Sequence, residues 1–350
     1  MIIAADEAQR PAPSAQEVSF EAAVTGIAFL ANGTLAAGLG DGSVRLIPWG
    51  GISDIVKASP HAGNAAVLSV AMDLDAAAVL TGGDDGCLAR TGTGGETHIL
   101  TRFPGQQVDV LAVSQTGNLR AVAAGREVRL LDRHGNVFAT TSDHPSSITG
   151  LAFNPKGKRL AVSHYGGVTL WWTGRFGQGP TRLKWAGSHI GVTWSPDSTA
   201  IVSSMQDKEL HGWQLRDGSD MRMSGYATKV QSMQWLAKPM SLVTAGADCA
   251  IVWRFTGGGP MGKAPLEIGR GLGRLATFVA THPKHTRVAI GFDDGRVALC
   301  DLMDESIVRL RAGDGGRVNA LAWSEDGQRL AAATDGGGVS HFDFAAGISG

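Results

Sequence analysis

The sequence predicts an all-β repeat protein, because one pattern of short strands and turns recurs eight times along the 350 residues. Each repeat has an apolar strand, a turn, a second strand rich in Ala, Val and Gly, another turn and a third strand. The first strands are VTGIAF (24–29), VLSVAM (67–72), VDVLAV (108–113), ITGLAF (148–153), HIGVTW (189–194), VQSMQW (230–235), LATFVA (275–280) and VNALAW (318–323). Matched positions lie about 40 to 45 residues apart, the period of a four-stranded β-propeller blade. We therefore predict an eight-bladed β-propeller, with seven blades plus an irregular repeat as the alternative.

Each element of the repeat has a residue pattern that explains it. The first strand alternates bulky side chains with small ones, such as Gly150 and Gly191, which lets blades approach each other near a narrow axis. The second strand, for example RLAVS at 159–163, is apolar on both faces, as expected for a strand between two other sheets. Asp-Gly pairs then supply the positive φ of a tight hairpin turn, at 41–42, 85–86, 294–295 and 335–336.

The ends of the chain predict how the repeats are closed. Residues 1–17 are rich in Ala, Pro and Gln without a strand period, so we expect a flexible tail before a single domain at 18–344 and a short tail at 345–350. The last repeat lacks a fourth strand of its own. We expect residues 18–22 to supply it, which would close the ring of blades and remove a free sheet edge.

Composition argues against several classes of function. With 31 Lys and Arg against 32 Asp and Glu, the net charge is −1, so no long-range field attracts nucleic acid or an anionic membrane. Three cysteines without C-x-x-C spacing argue against a disulfide framework or a structural zinc site. No signal peptide or spanning apolar stretch is evident. We expect a cytoplasmic protein without cofactor or metal, a monomer outside its complex.

The third strands resemble those of the WD-repeat β-propellers, over about residues 18–344. Three strands end in the family's Trp, and three others keep only the Asp of its Trp-Asp pair: Leu170-Trp171, Gly212-Trp213 and Val252-Trp253, then Leu131-Asp132, Cys300-Asp301 and Phe342-Asp343. No complete Trp-Asp pair occurs, and His144 is only a partial echo of the family's Gly-His pair. A divergent member is therefore expected, held mainly by packing rather than by the family's Asp-His-Ser/Thr-Trp hydrogen-bond networks. The resemblance implies a non-catalytic platform that binds proteins or peptides through its top face.

Loops before the first strands should open onto that top face. Three adjacent repeats have a basic residue there, and a fourth basic residue extends the arc: Lys229, Arg274, Arg317 and Arg270. Such an arc fits an acidic peptide. The alternative is that acidic residues on adjacent turns of the same blades neutralise it, namely Asp248, Asp293, Asp294 and Asp335. Elsewhere on this face, His164 and Tyr165 are expected to add an aromatic edge.

The second residue of each first strand should point to the mouth of the central channel. These residues are Thr25, Leu68, Asp109, Thr149, Ile190, Gln231, Ala276 and Asn319. One carboxylate supplies neither the acid and base pair of a glycosidase nor the ligands of a catalytic metal, so we do not expect an enzyme. The alternative function is a small-ligand, metal-binding or enzymatic propeller that uses Asp109, Gln231 and Asn319 at this mouth.

Two partial motifs do not change this expectation. Gly257-x4-Gly262-Lys263 lacks the Ser or Thr of a phosphate-binding loop, and Pro265 stands where its helix would begin. His282 and His285 lie three residues apart in a turn without a third ligand nearby in sequence.

Overall fold

A computed structural model describes residues 2–4, 14–313 and 315–344. Within them, hydrogen bonds join 31 strands into seven sheets, and three 3-10 helices lie at Ile52–Asp54, Ala62–Asn64 and Thr173–Arg175. The first three sheets, in spatial order, are β3 (Val24–Phe29), β4 (Leu35–Leu39), β5 (Val44–Ile47) and β6 (Val56–Ala58); β10 (Thr97–Arg102), β9 (Cys87–Gly92), β8 (Ala78–Gly83) and β7 (Val67–Met72); and β11 (Val110–Ser114), β12 (Leu119–Ala124), β13 (Glu127–Leu131) and β14 (Val137–Thr141).

The remaining four sheets include the two that recruit N-terminal strands. They are β15 (Ile148–Phe153), β16 (Arg159–Trp172), β17 (Thr181–Trp194), β18 (Ala200–Met205), β19 (Leu210–Gln214) and β20 (Asp220–Met223); β1 (Ile2–Ala4), β24 (Leu266–Arg270), β23 (Ala250–Arg254), β22 (Ser241–Thr244) and β21 (Met233–Leu236); β25 (Ala276–Thr281), β26 (Arg287–Phe292), β27 (Arg296–Asp301) and β28 (Ile307–Ala312); and β2 (Ser14–Ser19), β31 (Gly338–Asp343), β30 (Arg329–Thr334) and β29 (Val318–Trp323).

The backbone packs into two compact units. One consists of Met1–Ala31 with Tyr226–Gly350, here called the terminal unit, and the other, Asn32–Gly225, is the middle unit. The prediction of a single domain stays a prediction.

The architecture is an all-β propeller with seven sheets, so the prediction of eight blades is not supported and the alternative of seven blades fits. The fourth and fifth repeats share the six-stranded sheet, because β16 and β17 are each 14 residues long. Strand β16 turns back on itself near Gly166, so that its two ends, Arg159 and Trp172, lie together. Strand β17 pairs with β16 through its first residues and with β18 from His189 onward, so each half keeps the strand order of one repeat.

The last sheet is completed by an N-terminal strand, as predicted. Strand β2 pairs antiparallel with β31 from Ser14 opposite Asp343 to Ser19 opposite Gly338. The closing strand therefore begins four residues before the predicted range of 18–22. The predicted end of the N-terminal tail, at residue 17, falls inside this strand. From Ala15 to Ser19 the side chains alternate between exposed and half-buried, the pattern of an edge strand with one solvent face. Residues 5–13 and the predicted tail at 345–350 lie outside the described residues.

Adjacent sheets pack through a glycine in the second strand. A Cβ added to Gly38 or Gly82 in the middle unit would lie 2.6 Å from Val67 Cγ1 or Val108 Cγ1, and one on Gly291 in the terminal unit 2.3 Å from Val318 Cγ1. These distances are too short for any side chain. The glycines therefore allow the first valine of the next first strand to pack against the sheet.

Hydrogen-bond networks of the family type, which were not expected from the sequence, are present in altered form, and the expectation that packing mainly holds the blades stays a prediction. In the middle unit, His61 contacts Asp85 at 2.9 Å and Thr81 at 3.0 Å, and the Trp171 indole donates to His144 at 3.0 Å. In the terminal unit, a tyrosine takes the histidine's place. The Trp253 indole donates to the Tyr226 hydroxyl at 2.6 Å, and this hydroxyl is 2.7 Å from the Thr244 hydroxyl.

Candidate binding surfaces

An open pocket of about 590 Å³ lies beside Tyr165 in the middle unit. Its lining includes His164, Tyr165, Arg182, Leu183, Lys184 and Trp185. We call it the Tyr165 pocket. It combines an exposed phenol ring with two basic side chains, so it can contact both an apolar and an anionic group.

A bulge between β16 and β17 forms this pocket. Tyr165 pairs with Ser188 and Gly167 with Lys184, so Trp185, Ala186 and Gly187 lie opposite the single residue Gly166. Gly167 has φ 138°, and a Cβ there would lie 2.0 Å from the Leu183 carbonyl oxygen. Only glycine therefore permits β17 to approach the turn so closely.

The two residues predicted at this edge have different roles. Tyr165 is 63% exposed. His164 is buried, with Nδ1 2.9 Å from the Tyr165 carbonyl oxygen and Nε2 2.8 Å from the Thr169 hydroxyl. Burial lowers the pKa of His164, so its imidazole is neutral at pH 7. These two hydrogen bonds hold the imidazole within the turn, and the part of His164 in partner binding stays a prediction.

The two basic side chains of the pocket also differ. Arg182 donates to the Asp143 carboxylate at 2.7 Å. Lys184 is exposed, and no acidic side chain in the described parts of the chain pairs with it. Lys184 is therefore the cation available to a bound anion.

The basic arc of the terminal unit is neutralised at one of its four positions. Arg270 donates to Glu267 at 2.5 Å and to Asp248 at 2.9 Å, as the alternative interpretation expected. The Arg317 guanidinium instead donates to the Gln231 side-chain oxygen at 2.8 Å, while its backbone N–H donates to Asp335.

The other two acidic residues of that alternative are engaged elsewhere. Asp294 pairs with Arg296 at 3.1 Å, and Asp293 accepts a hydrogen bond from the Leu275 backbone at 3.3 Å. Lys229 and Arg274 are exposed, and neither has an ion-pair partner among residues 2–4, 14–313 and 315–344. The arc thus retains two unpaired cations.

The residues expected at the channel mouth are mostly bulge residues. The second residue of the first strand has no pairing partner in five repeats, at Leu68, Thr149, Ile190, Thr277 and Asn319. Thr277 replaces the predicted Ala276, because β25 begins at Ala276, one residue later than expected.

Several of these side chains join neighbouring first strands. The Thr277 hydroxyl donates to the Val318 carbonyl at 2.6 Å, and Thr149 donates likewise to His189. The Asn319 amide donates to the Val24 carbonyl, and its own oxygen is buried without a hydrogen bond. Apart from the Asn319 oxygen, these polar groups are engaged in structural hydrogen bonds.

Asp109 differs from them. Its side chain is exposed, and the surrounding protein atoms desolvate the carboxylate and raise its pKa. Asp109 belongs to the middle unit, whereas Gln231 and Asn319 belong to the terminal unit.

Among the described residues, no three His, Cys, Asp or Glu side chains lie close enough to hold a metal ion. All three cysteines are buried and reduced, and burial raises the pKa of Cys87 to about 11 and those of Cys249 and Cys300 to about 12. No helix in the described part of the chain is long and apolar enough to span a membrane.

Sequence reasoning did not identify four residues of the Tyr165 pocket as candidate binding residues: Arg182, Leu183, Lys184 and Trp185. They precede the fifth first strand, where the repeat pattern suggests only the outer strand of a blade. The available signal was the run of basic and apolar residues in TRLKWAG at 181–187, directly before His189.

The repeats, the sheet order and the inter-strand registers define an all-β propeller built from a repeat of about 41 residues. The family model "WD domain, G-beta repeat" matches residues 135–172, and that of the anaphase-promoting complex subunit 4 WD40 domain matches residues 279–348. Together, the two matches support a WD-repeat β-propeller family for this chain.

Two relatives and one solved structure are similar to this chain. THO complex subunit 3 of Arabidopsis thaliana is 22% identical over 243 residues, which cover 67% of this chain and 76% of that protein. WD repeat-containing protein 1 of Bos taurus is 31% identical over 84 residues, 23% of this chain but only 14% of that protein. The crystal structure of the computationally designed Ika8 protein superposes with a TM-score of 0.72 at 19% identity, covering 93% of this chain and 97% of that one. The last similarity establishes the fold alone.

Proposed function

We propose that this protein is a non-catalytic scaffold that binds an acidic peptide segment of a partner protein in the Tyr165 pocket. The relatives point to a role in protein interaction: one is named as a subunit of the THO complex, and one matching family model describes a domain of an anaphase-promoting complex subunit. The observation that carries the proposal is the exposed Tyr165 ring beside the unpaired Lys184 ammonium group.

The chemistry of the pocket favours a particular type of peptide. Aromatic side chains are enriched at protein interfaces, where they bury a large apolar area and lose little conformational entropy. Leu183 and Trp185 extend the apolar wall beside Tyr165, and Lys184 offers a charge to a carboxylate. We therefore expect an apolar side chain next to Asp or Glu in the bound segment.

Selection from a random peptide library, followed by calorimetry on the selected peptide, tests this proposal. Tyr165→Ala and Lys184→Glu should each weaken binding at least tenfold, with circular dichroism unchanged. Lys284→Glu, at an exposed lysine in the turn between β25 and β26, serves as the matched control and should bind normally. Selected peptides without acidic residues, or equal binding by all variants, would refute the proposal.

The basic arc is a second surface for the same type of partner. Lys229 and Arg274 are its unpaired members, so the double variant Lys229→Glu, Arg274→Glu isolates its contribution. If the selected peptide loses affinity for this variant and keeps it for Tyr165→Ala, the binding surface is the arc and not the Tyr165 pocket.

The proposal includes a cytoplasmic location and a monomeric state outside the complex. Light scattering at micromolar concentration should give a mass close to the 36.4 kDa of one chain. Fractionation of cells should place the protein with soluble cytoplasmic markers. A dimer mass, or recovery with membranes, would contradict this part.

A further inference from the structure

A second pocket of about 590 Å³ lies at the other end of the β16 hairpin, against Trp172. Its lining consists of Lys158, Trp172, Thr173, Gly174 and Arg175. Trp172 is 40% exposed. Trp172 follows Gly167 by five positions along the strand, which places the two residues about 16 Å apart. This pocket is therefore distinct from the Tyr165 pocket.

The charged group next to Trp172 is Arg159, whose guanidinium lies between two indole rings. Its Cζ is 5.0 Å from the centre of the Trp172 ring and 5.5 Å from that of Trp194. The Arg159 Nε is buried without a hydrogen-bond partner. A buried guanidinium N–H without an acceptor is costly, and native proteins rarely retain one without a reason.

Other repeats of this chain provide an acid at the equivalent position. Arg159, Arg287 and Arg329 correspond, because the carbonyl of each accepts the hydrogen bond that closes the turn between the first and second strands. Arg287 lies opposite Asp301 in the sheet and pairs with its carboxylate at 3.1 Å, and Arg329 lies opposite Asp343.

In the fourth repeat, a tryptophan replaces this acid. The buried residues Trp171, Cys300 and Phe342 occupy the same third-strand position, and Trp172, Asp301 and Asp343 follow them. The repeat that has Trp172 in place of Asp therefore leaves Arg159 without its internal carboxylate. Within the described residues, no acidic side chain pairs with Arg159, Lys158 or Arg175.

We infer that Arg159, Trp172, Arg175 and Lys158 form a binding site for an acidic peptide, in which a carboxylate of the partner takes the place of the missing Asp. The two indole rings hold the Arg159 guanidinium in position before the ligand arrives, which reduces the entropy lost on binding. Arg175, with its Cζ 6.0 Å from the Trp172 ring, and the exposed Lys158 supply further positive charge. The exposed face of Trp172 receives an apolar side chain of the same peptide.

A peptide suits this site better than a nucleic acid. The basic residues are confined to one end of one sheet, and the whole chain has a net charge of −1. Binding of nucleic acid requires a broad basic stripe that neutralises many phosphates. A short acidic segment requires only the local cluster.

The test uses the full chain carrying Tyr165→Ala, so that the Tyr165 pocket does not contribute, and a fluorescein-labelled octapeptide that alternates Glu with Leu, with anisotropy as the readout. Trp172→Asp restores the internal acid, so it should pair with Arg159, weaken peptide binding at least tenfold and leave the melting temperature equal or higher. A peptide with Gln in place of Glu should bind at least tenfold more weakly than the Glu peptide. Binding that survives Tyr165→Ala is separate from the function proposed above, because the Tyr165 pocket is proposed to take the same class of peptide.

A second variant tests the inference if Trp172→Asp does not fold. Lys158→Gln with Arg175→Gln changes two exposed residues only and should weaken binding at least threefold. The inference is overturned if the Glu peptide does not bind the Tyr165→Ala chain at millimolar concentration, or if the addition of Trp172→Asp to that chain leaves binding equally tight. Tight binding of single-stranded oligothymidine in place of the peptide also overturns it.

Discussion

At the scale of residues, this protein uses one repeated position for different purposes. Arg287 pairs with Asp301, whereas the equivalent Arg159 lies between two tryptophans. A tyrosine likewise replaces the histidine in the network around Trp253. The repeats share a backbone, and single substitutions decide which side chains are satisfied internally and which remain available to a partner.

The hydroxyl of Tyr226 should be important for stability. Tyr226→Phe removes the acceptor of the Trp253 indole and the partner of the Thr244 hydroxyl, which leaves buried polar groups without hydrogen bonds. We expect the free energy of unfolding to fall by about 1–3 kcal/mol, measured by urea denaturation. The chain has only two tyrosines, so Tyr165→Phe, at the exposed one, is the matched control and should change it by less than about 0.5 kcal/mol. Equal losses for the two variants would contradict this assignment.

A buried carboxylate joins two sheets of the middle unit. Asp73 is fully buried and accepts hydrogen bonds from Arg120 at 2.5 and 2.9 Å and from Arg90 at 2.9 Å. Its pKa is lowered, because these hydrogen bonds and the Arg120 charge outweigh desolvation, the largest single effect, which acts in the opposite direction. The carboxylate is therefore ionised at neutral pH.

Removal of this charge should be costly. Asp73→Asn leaves Arg120 buried without its counter-charge, and we expect a loss of about 3–5 kcal/mol in unfolding free energy. Asp75→Asn removes an exposed partner of the same Arg90, so it should cost less than about 1 kcal/mol. Chemical denaturation of both variants gives the comparison. A similar small effect for both would show that the buried network does not stabilise the fold.

At the scale of elements, strand β2 closes the last sheet. Its pairing with β31 covers the edge that this strand would otherwise expose. Deletion of residues 1–19 should therefore lower the melting temperature by more than about 5 °C and promote aggregation. Deletion of residues 1–13 keeps β2 and should have a clearly smaller effect, as measured by scanning fluorimetry and light scattering. Equal melting of the two truncations and wild type would exclude a role for β2 in stability.

At the scale of the whole molecule, buried histidines should make stability depend on pH. Burial lowers the pKa of His144, His164 and His189, and lowers the pKa of His211, His282 and His341 to about 4. In the unfolded chain these imidazoles have a pKa near 6.5. The unfolded state therefore binds more protons than the folded state between pH 6.5 and 4, and stability falls as the pH drops through this range.

Urea denaturation at pH 7.5 and pH 5 measures this dependence. We expect a lower midpoint at pH 5. His341→Gln should reduce the difference between the two midpoints, because one buried imidazole no longer titrates. His98→Gln, at an exposed histidine, should leave the difference unchanged. A midpoint that is the same at both pH values would contradict neutral burial of these side chains.

Much of the architecture could be predicted from the sequence, because it depends on local periodic patterns. Alternating apolar residues and Asp-Gly turns specify strands and hairpins within a repeat, so the eight first strands and the extra N-terminal strand were found. Tyr165 was also identified, since an aromatic residue in a glycine turn is visible without the fold. Lys184 and Trp185 were missed, because only the bulge opposite Gly166 brings them to the same pocket.

The amino-acid sequence by itself determined the all-β repeat, the positions of its turns and the absence of a large net charge. The tertiary structure decided which strands share a sheet, so that two repeats are joined through β16 and β17, and which charges pair. In that structure, Arg270 forms ion pairs with Glu267 and Asp248, whereas the Arg159 guanidinium contacts the rings of Trp172 and Trp194. The physical reason is that strand formation depends on neighbours along the chain, whereas pairing depends on register. A one-residue bulge moves a side chain to a different neighbour without changing the local pattern.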